Sequence, residues 1–340
     1  MKTLIRDKEH RAMLRKAYES NEDLFQMLLV GICVFIVMSL LLGPKYYALS
    51  NLTTILSQLP QYGILTMCVA ISMLLGGFDL SAVSLANLAA VVSTKIMLTM
   101  ITDDMTTPQV VVVIAFSLFA AMLVGIAGGI LNGLTIAQFR VPAMLATLGT
   151  GQIFKGIAIV LTRGASISGL PSTFSKIGAS RVFNFIPVSF LIFLACTLAL
   201  IWVFNKSGFG KQVRLIGTNR VAAYYSGIKV KLITVKTFAL CGLISAIGGI
   251  VMLAKNNSAK ADYGDAYTLM CVMIAILGGV SPDGGYGKIE AVAVAIVIVQ
   301  MISSAITMIP SLNNHFTKLI WGGILIAVIL IRKLRKKNDR

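Results

Sequence analysis

Charge is what this sequence has least of. Only 13% of its 340 residues are charged, 57% are hydrophobic, and the mean hydropathy is +0.86. That composition excludes a soluble globular domain of this length. Acidic residues are scarcer than basic ones, 13 against 30, for a net charge of +17. Nucleic-acid binding is not the reading of that excess, because the basic residues gather at the two ends and in one internal stretch, as in the cytoplasmic segments of a membrane protein. There are two histidines, His10 and His315, with no HExxH pairing, and the five cysteines (Cys33, Cys68, Cys196, Cys241, Cys271) stand singly in apolar surroundings without a CxxC. Neither a metal site nor a disulfide framework is supported, and no cofactor is expected. No GxxxxGK[ST] run is present, so this chain does not itself hydrolyse ATP. No Ser/His/Asp arrangement or acidic cluster suggests an enzyme of another kind. The polar N-terminal region is too long for a secretory signal, and no A-x-A-like site follows the first apolar run. The weak alternating segments of a β-barrel are missing as well.

What is present is a succession of apolar runs, most of them long enough to cross hydrocarbon. They predict an all-α polytopic membrane protein of about ten transmembrane helices, over residues 24–42, 52–75, 79–100, 109–134, 142–161, 187–204, 236–253, 267–278, 289–309 and 318–331. The eighth run is short and has the length of a re-entrant piece. Residues 1–23 read as a polar cytoplasmic leader, either a short helix lying on anionic headgroups or a solvated tail. Residues 24–331 form the membrane domain, with 162–187 as an extracytoplasmic loop and 205–236 as a cytoplasmic one, and residues 332–340 form a basic tail. Six basic residues precede the first run, seven lie in 205–236 and six in the tail. The positive-inside rule therefore places both termini in the cytoplasm.

Two breaks punctuate the runs. Gly76-Gly77 ends the second and is followed by Asp79 and Ser81; Gly278-Gly279 ends the eighth and is followed by Ser281 and Asp283. Broken helices of this kind build polar pathways inside membranes, and the recurrence points to two halves of related construction. Asp79 falls where a helix begins, suited to capping free N–H groups or to lining a pathway. Ser81 and Ser84 either meet a substrate's hydroxyls or bond back to their own helix. Asn87 is a costly amide at membrane depth, explained by helix–helix contact or by a pathway. Asn132, Thr147, Thr150 and Gln152 form a second uncharged polar group, which suits a neutral polyol and equally suits interhelical bonding. Lys155 lies deep in the fifth run and calls for snorkelling or an acidic partner. In the internal basic stretch, Asn219 can cap a short helix that Gly227 ends.

Several motifs taken together resemble one family. Gly76-Gly77-Phe78-Asp79-Leu80-Ser81 resembles the G-G-I-D-L-S signature of ribose-type permease subunits of bacterial ABC importers. Asn132-Gly133, Pro142 and Ala146-Thr147-Leu148-Gly149-Thr150 resemble its N-G…P…T-L-G-T run. Phe209-Gly210-Lys211, Ile216-Gly217-Thr218-Asn219 and Ala222 through Val230 resemble its internal loop, and Gly278-Gly279-Val280-Ser281 with Gly284-Gly285-Tyr286-Gly287 resembles its late glycine segment. The sequence departs from the family at Phe78, and at Val83 where a glycine is usual, which stiffens the start of the third run. The resemblance implies a transport subunit of the bacterial inner membrane that moves a monosaccharide, ribose or a related pentose or hexose, by alternating access. It also implies three partners: a separate ATPase, an extracytoplasmic sugar-binding protein, and a second permease copy or a similar permease. By resemblance the coupling residues are Asn219, Arg220, Ala222, Ala223, Ser226 and Gly227, on a helix that docks into the ATPase. The alternatives are a permease for a nucleoside, an inositol or a furanosyl signal molecule, or an ion-coupled secondary carrier.

Overall fold

The computed structural model describes residues 22–102, 104–183, 185–309 and 322–323. The leader up to residue 21, the tenth expected run at 318–331, apart from residues 322–323, and the basic tail lie outside these residues. Within them, eight helices are long and apolar enough to cross a membrane: α1 (Glu22–Leu42), α3 (Leu49–Leu74), α4 (Ala82–Met100), α5 (Thr107–Gln138), α6 (Ala143–Thr162), α8 (Val188–Lys206), α11 (Val230–Asn256) and α13 (Ile289–Thr307). Each expected run from the first to the ninth has its helix. The eighth is α12 (Tyr267–Leu277), only 11 residues long. At about 1.5 Å per residue it rises roughly 17 Å, half of the hydrocarbon thickness.

The local chemistry sets the helix ends. The α5 N-terminus follows Thr106, whose backbone N–H donates to the Gln109 side chain (2.9 Å), an arrangement that satisfies an otherwise free donor. The end of α3 is a Schellman turn: Gly76 takes φ +91°, the Gly76 N–H donates to the Met73 carbonyl, and the Gly77 N–H donates to the Ser72 carbonyl. The end of α12 repeats it bond for bond. Gly279 takes φ +96°, its N–H donates to Ile276 and that of Val280 to Ala275. The structurally equivalent residues are thus Gly76 and Gly279, and the two breaks are built alike. Their aspartates are not, since Asp79 is buried and Asp283 is exposed.

Helices α3, α4 and α11 form the centre of the bundle, and α1, α5 and α8 form its rim. Apolar burial drives little helix association in lipid, so close backbone packing must carry it. The pair α5–α11 has that packing. Gly125, Gly129 and Gly133 recur every fourth residue on α5 and face Gly242, Phe238 and Val235 of α11. A methyl group added at Gly242 would lie 2.0 Å from the Gly125 carbonyl oxygen, so no side chain fits there. Outward-facing apolar residues such as Leu40, Val112 and Trp202 are exposed along α1, α5 and α8, as a lipid-facing surface requires.

Short elements close the ends. Between α6 and α8 lie β1 (Ile167–Ser168), α7 (Ser172–Ala179), β2 (Arg181–Val182) and β3 (Ile186–Pro187). Strand β1 pairs antiparallel with β4 (Ser258–Ala259), which follows α11. At the opposite end of α11, the 205–236 stretch forms α9 (Gly208–Thr218) and α10 (Arg220–Tyr225). The four-residue α2 (Pro44–Tyr47) joins α1 to α3.

Candidate translocation and coupling site

The polar residues of the first break form one buried chain across three helices. The Asp79 Oδ1 accepts from the Ser81 backbone N–H (3.0 Å) and the Ser81 hydroxyl (2.6 Å). The Ser81 Oγ in turn accepts from Asn132 Nδ2 on α5 (2.7 Å). The Asn132 Oδ1 accepts from the Thr150 hydroxyl on α6 (2.5 Å). Thr147 stands beside this chain, where its Oγ1 accepts from the Leu80 N–H (3.1 Å) and lies 2.9 Å from the Phe78 carbonyl. The Asp79 N–H is taken by the Ser72 hydroxyl (3.0 Å). Among the described residues no basic side chain pairs with Asp79, so its shell is built from dipoles alone.

Five of the eight pathway candidates, Asp79, Ser81, Asn132, Thr147 and Thr150, are thereby brought together. The other three are elsewhere. The Asn87 Nδ2 donates to the Ala261 (3.1 Å) and Tyr263 (2.8 Å) carbonyls, holding the loop after β4. Ser84 is half-buried on α4, and Gln152 is exposed on the outer side of α6. Lys155 has the acidic partner its position called for: its Nζ lies 2.5 Å from Asp265 Oδ2.

One group of potential metal donors surrounds the same carboxylate. The Cys68 and Cys241 sulfurs and an Asp79 oxygen lie within 4.8 Å of one another, all buried. The Cys241 thiol donates to the Cys68 carbonyl (3.5 Å), and the Cys68 Sγ is 3.3 Å from the Ser245 hydroxyl. As a weak S–H donor Cys68 serves the Asp79 Oδ2 (3.9 Å) without an ion, whereas ionising both thiols would gather three negative charges in an apolar core.

The two breaks meet each other and meet α9. The Gly285 N–H donates to the Leu74 carbonyl (2.9 Å). A methyl group on Gly217 would lie 2.1 Å from the Leu74 carbonyl oxygen and 2.4 Å from the Gly285 nitrogen, and one on Gly284 would lie 2.5 Å from the Gly76 Cα. Only glycine permits such a joint, in which α9, the end of α3 and the 281–287 turn touch backbone to backbone. Helix α10 follows directly. The Asn219 Oδ1 caps it by accepting from the Val221 and Ala222 N–H groups (3.0 and 2.9 Å), and Gly227 ends it at φ +80°. Its outer surface consists of Arg220, Val221, Ala222, Tyr224 and Tyr225, the last 83% exposed, while Ala223 packs inward. Ser226 bonds back to the Ala222 carbonyl. Val221, Tyr224 and Tyr225 were legible as part of this helix but not as contact residues, although an adjacent aromatic pair is a signal of a contact surface.

Two cavities, each of about 390 Å³, lie at opposite ends of the bundle. The one beside α9 is lined by Gly76, Gly77, Phe78, Arg140, Pro142 and Arg220 among others. The other is lined by Gln61, Met252, Asn256, Tyr263, Gly264 and Tyr267. Neither was legible as a site in the sequence.

Comparison with known proteins places this geometry among transport subunits. The family described as "Branched-chain amino acid transport system / permease component" matches residues 51–329. The galactose/methyl galactoside import permease protein of Salmonella typhimurium is 32% identical over 313 residues, which cover 90% of this chain and 93% of that protein. The ribose import permease protein of Bacillus subtilis is 28% identical over 308 residues, 89% of this chain and 91% of its own length. The autoinducer 2 import system permease protein of Photorhabdus laumondii is 25% identical over 331 residues, 96% and 94% of the two chains. No solved structure matches the chain.

Proposed function

This chain belongs to the family of branched-chain amino acid transport system / permease components, and from that premise we propose that it is the membrane subunit of an ABC importer for a monosaccharide, working in the bacterial inner membrane. Relatives named for galactose, ribose, arabinose and allose align over most of its length, which supports a sugar as cargo. The chain is a transport subunit and not an enzyme; ATP hydrolysis belongs to a separate ATPase, and an extracytoplasmic binding protein delivers the cargo. A second permease copy completes the pathway, with the open side of α6, including Gly149, Gln152 and Gly156, turned toward it.

The observation that carries this reading is the unbroken path from an exposed docking helix to a helix break. The outer residues of α10 are free to meet the ATPase; α10 runs into α9 through Asn219; and α9 touches both breaks at Gly217. Closure of the ATPase pair moves α10, and the joint carries that displacement to the ends of α3 and α12. The loaded binding protein docks at the opposite end, on the surface that includes residues 162–187.

Two experiments test this. First, gentle detergent extraction of the chain from its native membrane should bring down a protein with Walker motifs. Val221→Asp with Tyr224→Ala and Tyr225→Ala should release that partner, whereas a chain that comes out alone would sink the importer reading. Second, proteoliposomes holding the assembled complex should accumulate a labelled monosaccharide only with ATP inside the lumen facing the ATPase. Within a family named for branched-chain amino acid transport, an amino acid is the competing cargo. A zwitterion needs one group of each charge to hold it, while the lining of the cavity at the end opposite α9 has amides and phenols and no charged side chain, which favours a neutral polyol.

A further inference from the structure

We propose that the cavity at the end of the bundle opposite α9 is a receiving site for one neutral sugar ring, occupied after the binding protein releases its cargo and before the cargo enters the pathway. The inference rests on the importer reading above and adds the residues that hold the cargo. It starts from position. Helix α11 runs about 40 Å from Val230 to Asn256, so Asn256 stands at the end farthest from α10. Gln61 lies 13 residues before Leu74, roughly 20 Å up α3 from the break. The cavity therefore reaches from the outer loops down to the middle of the central helices.

Its chemistry is that of a polyol site. The Gln61 amide, the Asn256 amide and the Tyr267 hydroxyl have no hydrogen-bond partner among the described residues, yet all three belong to the lining. Neighbouring polar groups are bonded to one another: the Tyr62 hydroxyl donates to Gln300 Oε1 (2.7 Å), and Gln300 Nε2 donates to Gln58 Oε1 (2.9 Å). The three lining groups are thus free to meet a ligand. An amide offers a donor and an acceptor side by side, the pattern that two adjacent sugar hydroxyls complement. The rings of Tyr263 and Tyr267 supply apolar faces for the C–H side of a sugar. Charge is kept out of the lining, because the nearby ions are used on each other or on neutral groups: Lys155 with Asp265 (2.5 Å), Lys260 with Asp262 (3.0 Å), and Lys255 on the Ser57 hydroxyl (3.2 Å). The volume of about 390 Å³ is at the small end of ligand sites and ample for one sugar ring.

The wall is also held in place. Asn87 fixes the Ala261 and Tyr263 carbonyls, the β1–β4 pairing ties the same loop to the α6–α8 connection, and Gly264 turns it at φ +66° where a methyl would strike the Tyr267 ring at 2.5 Å. Asn87 is accordingly a positioning residue for this site.

The test uses the complete importer in proteoliposomes with labelled D-galactose, D-ribose and L-arabinose. For whichever sugar the unmodified complex accumulates, Gln61→Leu combined with Asn256→Leu should lower the maximal uptake rate about tenfold, by removing the hydrogen bonds to its hydroxyls. The half-saturating sugar concentration, set by the binding protein, should stay where it was. Gln61→Asn should restore part of the rate. A second measurement does not depend on the leucine variant folding: a cysteine placed by Gln61→Cys, in a background with Cys33→Ser and Cys196→Ser, should react with a water-soluble thiol reagent, and millimolar sugar of the transported kind should slow that reaction. Uptake unchanged in the leucine variant, or labelling indifferent to the transported sugar, would overturn the receiving site. An unmodified complex that accumulates none of the three sugars would instead overturn the importer reading on which it rests.

Discussion

Asp79 is fully enclosed, accepts two bonds from Ser81 and has no cation against it among the described residues. Its role in this geometry is to start α4 and to hold the Ser81–Asn132–Thr150 chain, work that an amide oxygen performs equally well. Asp79→Asn is therefore expected to leave ATP-driven uptake within about threefold of the parent, whereas Asp79→Ala should cost about 1–3 kcal/mol of stability by leaving the buried Ser81 N–H and hydroxyl without their acceptor. An ion-coupled carrier would lose uptake in both, so uptake assays of the two variants together with their thermal melting separate the cases. These residues were conspicuous in the sequence because each is a polar side chain in an apolar run. Their union was not, since the bonds join positions 51 and 18 residues apart on different helices. Gln152 shared the same composition signal but faces outward. Gln61 and Asn256 were not singled out: Asn256 ends α11, where an amide is ordinary, while Gln61 sits in the middle of α3, and only the enclosing of a cavity makes either a ligand group.

At the scale of the element, nine apolar runs were legible because length and hydropathy decide whether a segment spans, and those are properties of the segment alone. The eighth run's brevity carried through to α12. Contacts between helices were less legible. The glycine-rich end of α5 announced close packing, but its partner α11 follows about a hundred residues later and is known only from the fold. The contact predicts a sharp result: Gly242→Val must force α5 and α11 apart, and overpacking of this kind costs about 1–3 kcal/mol. A lowered melting temperature in detergent, with Gly208→Val as a control where a methyl meets nothing within 4 Å, checks it. Helix α10 shows how far a motif reaches. Asn219 and Gly227 were readable as its start and stop, yet Ala223 packs inward while Val221, Tyr224 and Tyr225 form the outer surface, because a six-residue helix has no periodicity to reveal which side is covered.

At the scale of the whole molecule, the two halves are joined where their breaks meet α9. The sequence displayed both glycine pairs, but not that Gly285 bonds to Leu74 or that Gly217 lies between them; such contacts depend on the assembled bundle. Gly217→Ala leaves the helical backbone of α9 acceptable and puts a methyl group into the joint. The expected outcome is an importer that still binds its ATPase but moves fewer sugars per ATP hydrolysed. Uptake and phosphate release measured on the same proteoliposomes give that ratio, and an unchanged ratio would remove the joint from the mechanism. A joint made of backbone has no side-chain rotamers, so whatever compliance it has lies in its glycine-rich backbone alone. On the coupling proposed above, a stroke entering at α10 would reach both breaks through this one contact, so the two breaks would be timed together with no need for each to sense the nucleotide on its own.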